Sequence, residues 1–271
     1  MDIFSWIPIE YIPVVITASA TLIGAFFGAG IAQYFSHHLT KEREKTSSNR
    51  NNYQKLYSPI LLKIFMFYRV STHYRKGHDI LPNVNEEEIL KEIVDHIGSN
   101  LMYATPRIIS DYYNVERYKY EDDDSGFYKE KYTLKLIENF LNEICKFKIF
   151  SKENKKLIRE YRLKYLIWRI LTIENESMIF ANEVLGMDFY FNKNELQKER
   201  NYRKIKQFYF IRLPIFDKLR QKILKKEPFH YDLNNSEFIY KYMLRIIAKK
   251  EPIDHLLEDF RSEKVRFFNI E

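Results

Sequence analysis

The chain has 271 residues, in which 44 Lys and Arg outnumber 37 Asp and Glu, for a formal net charge of +7. Cys145 is the only cysteine, which excludes an intrachain disulfide and leaves no need for an oxidising compartment. Glycine (7 residues) and proline (8) are scarce, whereas Tyr and Phe reach 21 each. Few turn formers among many Lys, Glu, Ile and Leu residues predict an all-α protein rather than a strand-rich one.

The first element is an apolar stretch near the N-terminus. Residues 11–35 contain no Asp, Glu, Lys or Arg, and the charge-free sequence continues to Thr40. A bilayer core about 30 Å thick needs roughly 20 apolar helical residues, and a soluble core helix of this length would show a polar face. We therefore predict a transmembrane helix over 11–35. A cleaved signal peptide, with Gly30 and Ala32 before the cut, is disfavoured by the acidic N-terminus and the long apolar stretch.

Charges on the two flanks predict the orientation of this helix. Asp2 and Glu10 are the only charged residues before it. The basic residues that follow it closely are Lys41, Arg43, Lys45 and Arg50. Because Lys and Arg accumulate on the cytoplasmic side, we expect a single-pass protein of the cell membrane. Residues 1–10 form its short extracytoplasmic N-terminus, and the remainder lies in the cytoplasm.

Small residues recur every four positions within the predicted membrane helix. They are Ala20, Gly24, Gly28 and Ala32. This spacing keeps them on one helical face, where two backbones can approach closely. We expect the anchor to self-associate through this face into a homo-oligomer. The alternative is that small residues are simply frequent in membrane helices.

The rest of the chain divides into a stalk and one domain. Residues 36–52 are polar with no apolar stripe, and they predict either a solvated extension of the anchor helix or a flexible juxtamembrane stalk. Residues 53–271 contain no Gly- or Pro-rich linker and no recurring period, so we expect one cytoplasmic α-helical domain.

Capping residues delimit the first helices of this domain. Apolar residues repeat at three and four positions from Tyr53 onward, which is typical of an amphipathic helix. Asn85 is placed to cap a second helix, which Gly98 is placed to end. Thr105 and Pro106, a capping residue followed by proline at the first helical position, predict the start of a third.

The later helices follow an acidic surface loop at 121–126. An apolar stripe predicts a helix over 127–150, and Ser151 is placed to cap the next one. That helix is predicted to continue to Leu185, with Gly186 as its stop. The remaining helices are predicted to begin at Asn194, Pro214, Ser236 and Pro252.

Basic residues are concentrated in the predicted domain. Residues 41–271 hold all 44 basic and 35 of the 37 acidic residues, a net charge of +9. Candidates for binding an anionic ligand are Lys155, Lys156, Arg159, Arg162, Arg203, Lys204 and Lys206. Cations interleaved with Tyr and Phe, as in 201–212, suit single-stranded nucleic acid, and they equally suit anionic lipid within reach of an anchored domain. A solvated face over a Tyr-rich core is the structural alternative.

Motifs for catalysis are weak. The sequence contains no phosphate-binding glycine loop and no nucleophilic-serine motif, and Cys145 lies on an apolar stripe that favours a core role. His78-Asp79 resembles the central dipeptide of HD-type phosphohydrolases. Arg69 and His73 resemble the Arg-and-His signature of HEPN-type ribonucleases, at a shorter spacing than that family has. Ordinary polar surface accounts for both pairs as well.

The best grouping of possible metal ligands lies near the C-terminus. Glu251, His255 and Asp259 are four residues apart and share one helical face. A solvated helix face produces the same pattern, so we predict no metal site and no cofactor.

These features predict a membrane-tethered cytoplasmic interaction or effector protein that is non-enzymatic and self-associates through its anchor. Its expected partners are the anionic inner leaflet, a second copy of the chain and an unidentified protein, with nucleic acid as a further candidate. The layout resembles that of membrane-tethered proteins of bacteria and their mobile elements, and no motif names a family. The alternative is a membrane-anchored nucleic-acid-binding protein or nuclease of a phage-defence type.

Overall fold

The computed structural model describes residues 8–122, 126–147, 149–175, 178–212, 241–243 and 245–246. Within these ranges the chain is helical and contains no strand, which confirms the predicted all-α class. The α-helices are α1 (Ile12–Asn52), α2 (Ser58–Ser71), α3 (Lys76–Asp79), α4 (Glu86–Ser99), α5 (Pro106–Glu116), α6 (Phe127–Ile144), α7 (Lys152–Asn175), α8 (Met178–Gly186), α9 (Lys193–Leu196) and α10 (Glu199–Gln207). The chain divides into two units, residues 1–51 and 52–271.

Helix α1 accounts for almost all of the described part of the first unit. It has 41 residues, and none of its described side chains is buried. In the part of the chain that the structure describes, one helix near the N-terminus is long and apolar enough to cross a membrane, judged by length and composition. The sequence left open whether residues 36–52 are helical or flexible. They are helical, so the Ser and Asn residues at 47–52, which favour a break by propensity, do not end the helix.

Capping in the second unit follows the sequence signals closely. The Asn85 side chain accepts a hydrogen bond from the Glu87 backbone N–H at 2.9 Å, which fixes the start of α4. Ser151 Oγ accepts from the Asn154 N–H at 3.2 Å before α7. Helix α5 begins at Pro106 as predicted, although the Thr105 side chain makes no capping hydrogen bond.

One predicted helix has a different end in the structure. The helix predicted over 127–150 ends at Ile144. The helix predicted from Ser151 to Leu185 corresponds to α7 and α8, and the two residues between them, 176–177, lie outside the described residues. Helix α8 does end at Gly186, as predicted. A Cβ atom there would lie 2.8 Å from the Thr72 carbonyl oxygen, so glycine allows the end of α8 to approach the end of α2.

The core of the second unit is centred on α6 and α7. Helix α6 packs between α5 and α7, α7 also contacts α8, α9 and α10, and α2 packs against α4. Trp168 of α7 is fully buried and stacks on Phe67 of α2 with 5.6 Å between ring centres. The Tyr165 hydroxyl donates to the Ile64 carbonyl at 2.7 Å. Several of the many aromatic residues therefore serve as core. The Tyr165 hydroxyl is hydrogen-bonded, whereas the Trp168 Nε1–H has no hydrogen-bond partner among the described residues.

The predicted helices beyond residue 212 fall mostly outside the described residues. Within 241–243 and 245–246 the chain is helical, and Tyr242, Met243 and Ile246 are buried at the apolar positions that the sequence predicted. The Asn192 N–H donates to the Ile246 carbonyl at 2.6 Å, which attaches this segment to the residue before α9.

Candidate functional sites

The small-residue face of α1 is open. Cβ atoms added at Gly24 and Gly28 would meet no atom within 4 Å, and Gly30 has the same free space around it. By the helical period, Phe26 lies on the side of α1 opposite Gly24, and its side chain is 78% exposed. Around Gly24 and Gly28 this side of α1 is therefore open to close backbone approach, although the exposed side chains of Ile31 and Phe35 lie on the same side nearer the C-terminal end of the apolar stretch.

Hydroxyl groups in the apolar part of α1 are satisfied within the helix. Thr17 Oγ1 donates to the Pro13 carbonyl and Thr21 Oγ1 donates to the Thr17 carbonyl, both at 2.8 Å. A hydroxyl bonded to its own backbone can enter hydrocarbon without the cost of an unpaired donor.

The seven candidate anion-binding residues lie in different environments. Lys156 and Lys204 are exposed, and Lys155 is half-buried. No ion pair involving these three occurs among the described residues. The other four are engaged with carboxylates inside the second unit. They are Arg159, Arg162, Arg203 and Lys206.

Three of the arginines converge on one carboxylate, Glu199. Arg162 Nη2 donates to Glu199 Oε2 at 2.5 Å, and the Nε atoms of Arg159 and Arg203 lie 3.6 and 3.2 Å from its oxygens. Burial raises the pKa of Glu199, but the hydrogen bond and charge of Arg162 outweigh this and hold the pKa below its usual range. The Arg162 side chain is only 2% exposed, so its charge is used within the fold.

A second group, the Glu138 cluster, consists of Glu138, Asn139, Arg169, Tyr202 and Lys206. Glu138 of α6 is fully buried. Its Oε2 accepts from Arg169 Nη1 at 2.9 Å, and its Oε1 accepts both from the Tyr202 hydroxyl at 2.5 Å and from Lys206 Nζ. Lys206 Nζ also donates to Asn139 Oδ1 at 3.2 Å. The buried carboxylate of Glu138 thus accepts hydrogen bonds from three donors and joins α6 to α7 and α10.

The protonation state of Glu138 follows from these neighbours. Burial raises its pKa, but the charges of Lys206 and Arg169 outweigh burial and hold the pKa below the usual range for a glutamate. The pKa of Lys206 is lowered by burial, against the opposing effect of Glu138, and Arg107 and Arg169 lower it further. Two cations share one carboxylate, so the arrangement stabilises the charged form of Glu138 more than it stabilises the charged form of Lys206.

A further buried carboxylate extends the cluster towards α5. Asp111 is 3% exposed in its side chain, and its Oδ1 lies 2.8 Å from Lys135 Nζ. Its Oδ2 accepts from Asn139 Nδ2 at 2.6 Å. Asn139 thereby connects Asp111 with the Glu138 cluster.

A separate buried lysine, Lys164, joins α7 to the turn after α8. Its Nζ lies 2.8 Å from Asp188 Oδ2 and 3.1 Å from Glu160 Oε1. The two carboxylates outweigh burial and raise the Lys164 pKa. Gln197 also donates to Glu160 at 3.2 Å. This network satisfies its own charges and holds the helices together.

The histidines that resembled hydrolase and ribonuclease signatures do not form a site with several ligands. His73 Nε2 lies 3.9 Å from Asp79 Oδ2, while Arg69 and His78 are exposed. In the described ranges no group of three His, Cys, Asp or Glu residues is placed to hold a metal ion. Glu251, His255 and Asp259 lie outside the described residues.

Comparison with known proteins adds no relative. No protein-family model, no curated protein and no solved structure matches this chain.

Sequence reasoning missed Glu138 and Glu199, the two carboxylates on which the basic side chains of α7 and α10 converge. Glu138 lies among apolar positions of the α6 stripe, where a charged residue is unusual. That position was the available signal for a buried ionic partner. Nothing in the sequence indicated which cations would reach it, since Arg169 and Lys206 are distant in the chain.

Proposed function

We propose that this chain is a single-pass membrane protein whose cytoplasmic helical domain acts through non-covalent interactions, and whose anchor self-associates. The observation that carries the proposal is the surface of α1. Side chains such as Leu22, Phe27 and Tyr34 are 61–69% exposed along a charge-free stretch. At about 25 cal/mol per Å² of apolar surface, exposing such a helix to water is expensive, and a bilayer removes that cost.

The orientation in this proposal comes from the basic residues that follow the apolar stretch. A reporter enzyme that is active only outside the cytoplasm is expected to be inactive when fused after Glu271. The same reporter fused before Met1, behind its own translocation signal, is expected to be active. An active C-terminal fusion would contradict the inward orientation.

Self-association is supported by the open small-residue face. Replacing Gly24 and Gly28 with Ile adds bulk where two backbones would meet, so the dimer signal in a membrane two-hybrid assay is expected to fall. Val14→Ile and Val15→Ile, which add bulk outside the ladder, are the matched control and are expected to have less effect. Equal losses in both pairs would contradict a role for the small residues.

An interaction role, rather than catalysis, is supported by how the domain uses its buried charges. Glu138, Glu199 and Lys164 each face opposite charges within the fold, which joins helices. The exposed cations Lys156 and Lys204 remain available for the anionic inner leaflet. Reversing both to Glu is expected to weaken binding of the full chain to added anionic vesicles and to reduce its dependence on salt. Unchanged binding would exclude this surface.

Nucleic acid is the second candidate ligand. Its binding would depend on exposed aromatic rings, and the three candidate rings are buried to different extents. Tyr202 is 4% exposed beneath Arg162, so it is not a platform for a base. Phe208 and Tyr209 are half-buried. If single-stranded RNA binds more tightly than anionic vesicles, and Phe208→Ala or Tyr209→Ala weakens that binding, the nucleic-acid function replaces the lipid one.

A further inference from the structure

An apolar cleft lies on the C-terminal half of the charge-free part of α1. Gly30 forms its floor, and a Cβ added there would meet no atom within 4 Å. Large side chains from the same and neighbouring turns form its walls. They are Phe26, Phe27, Ile31, Tyr34 and Phe35. The cleft has a volume of about 460 Å³ and is open on its outer side, so it can take a narrow apolar ligand.

The position of the cleft matches one leaflet of a bilayer. Residues 26–35 are the last ten of the charge-free stretch 11–35, and they contain four aromatic residues, whereas 12–25 contains none. At 1.5 Å per residue the cleft extends about 13 Å along the helix. A hydrocarbon core about 30 Å thick gives about 15 Å to each leaflet. In the orientation proposed above, the cleft therefore lies at the depth of the acyl chains of the inner leaflet.

Basic groups continue the cleft side of α1 beyond its end. The ring centre of Tyr34 lies 6.5 Å from that of His38, one turn further along. Because α1 continues unbroken to Asn52, Lys41 lies within about 20° of Tyr34 around the axis and about 10 Å beyond it. Helical side chains tilt towards the N-terminus, so the Lys41 ammonium reaches back towards the end of the cleft.

The nearby charges leave Lys41 available to a ligand. Glu42 and Glu44 are the carboxylates of this part of α1, and both lie farther from the cleft along the chain. Lys41 is exposed and forms no ion pair with either of them in the ranges that the structure describes. Lys45 lies on the same side one turn farther on, whereas Arg43 lies about 160° around the axis from Lys41. The cleft thus ends in positive charge.

We propose that this cleft binds an anionic phospholipid, with one acyl chain along Gly30 and the phosphate at Tyr34, His38 and Lys41. The chain gains dispersion contacts with the floor and both walls of the cleft. The Tyr34 hydroxyl and the Lys41 ammonium donate hydrogen bonds to phosphate oxygens, and the lysine charge favours an anionic headgroup over a zwitterionic one.

The site rests on the membrane span and the orientation proposed above, but not on self-association. Gly30 lies about 160° around the axis from Gly28, so the floor of the cleft faces away from the small-residue face there. Nor does the site use Lys156 and Lys204, the exposed cations of the second unit.

The experiment locates the acyl chain by cross-linking. The full chain is placed in nanodiscs with phosphatidylglycerol or phosphatidylcholine that carries the same diazirine-bearing acyl chain, and mass spectrometry identifies the labelled residues. Phosphatidylglycerol is expected to label the cleft residues about fivefold more than phosphatidylcholine, which corresponds to the attraction of one lysine for anionic lipid near the surface. Over the rest of 11–35 the two lipids are expected to label equally.

Matched variants test the two ends of the site. Lys41→Gln is expected to remove the excess labelling by phosphatidylglycerol, whereas Arg43→Gln, which removes one charge on the other side of α1, is expected to retain it. Gly30→Leu fills the floor of the cleft and is expected to lower labelling of its walls by both lipids. Ala29→Leu adds the same side chain outside the cleft and the small-residue face, and labelling is expected to persist.

Equal labelling of the cleft by the two lipids in the wild-type chain would overturn the proposal. An equal loss in Lys41→Gln and Arg43→Gln would also overturn it, because the attraction would then be diffuse, as would unchanged labelling in Gly30→Leu. These outcomes leave the membrane span intact, since lipid still labels 11–35. Absence of label over 11–35 with both lipids would contradict the span itself, and this site with it.

Discussion

The guanidinium carbon of Arg162 lies 3.8 Å from the centre of the Tyr202 ring. The hydroxyl of that ring donates to Glu138 at 2.5 Å, and Arg162 itself donates to Glu199. Tyr202 therefore links the three arginines around Glu199 with the Glu138 cluster. Helix α10 is held against α6 and α7 by this chain of polar contacts as well as by apolar packing.

The two roles of Tyr202 are separable by substitution. Tyr202→Phe keeps the ring beneath Arg162 but removes a donor from buried Glu138, and it is expected to lower the free energy of unfolding by about 1–3 kcal/mol. Tyr202→Leu also removes the stacked ring and is expected to lower it further. Urea unfolding of the full chain in detergent, followed by the fluorescence of buried Trp168, measures both. Tyr120→Phe, at a 90% exposed position, is the control, and an equal effect there would refute the assignment.

Removing the charge of Glu138 tests the buried cluster directly. Glu138→Gln leaves Arg169 and Lys206 without their counter-charge. We expect this substitution to lower the free energy of unfolding by about 3–5 kcal/mol. Glu92→Gln removes the partner of Lys63 in an exposed pair and is expected to change the free energy of unfolding by less than about 1 kcal/mol. Similar losses in the two variants would show that the Glu138 cluster contributes little.

The lowered pKa of Glu138 predicts the effect of acid. Because its pKa is lower in the folded chain than the ordinary value of 4.5, the unfolded chain takes up this proton more readily. The stabilisation is present above the ordinary pKa and is lost as the pH falls through the folded one. The unfolding free energy, measured from pH 6 down to about pH 3, is expected to fall more steeply for the wild-type chain than for Glu138→Gln. Parallel curves would contradict this role.

Two glycines at helix ends are expected to differ in their tolerance of alanine. At Gly186 a Cβ would lie 2.8 Å from the backbone oxygen of Thr72. Gly186→Ala is therefore expected to lower the free energy of unfolding by about 1–3 kcal/mol. At Gly98 the Cβ would meet the hydroxyl end of the Tyr112 side chain, which can rotate away. Gly98→Ala is therefore expected to be near neutral, aided by the better helix propensity of alanine. Thermal unfolding of both variants checks this order.

Local signals in the sequence determined the helices and the character of the first one. The absence of charge over 11–35 predicted a helix long and apolar enough for a membrane, because composition and length alone decide that property. The starts of α4 and α5 followed from Asn85 and Pro106, because caps act on backbone groups within one turn. The end of α6 at Ile144 was missed, since apolar residues continue beyond it to Phe150.

Tertiary structure alone decided where the charges of the second unit lie. The sequence placed Arg162 and Lys206 on basic surfaces, but both are engaged with carboxylates in the fold, and Arg162 is almost completely buried. A helical period shows which residues share a face, yet not whether water or another helix covers that face. The carboxylates that neutralise these cations lie 37 and 68 residues away in the chain. Ion pairing at such separations depends on helix packing, which no local pattern encodes.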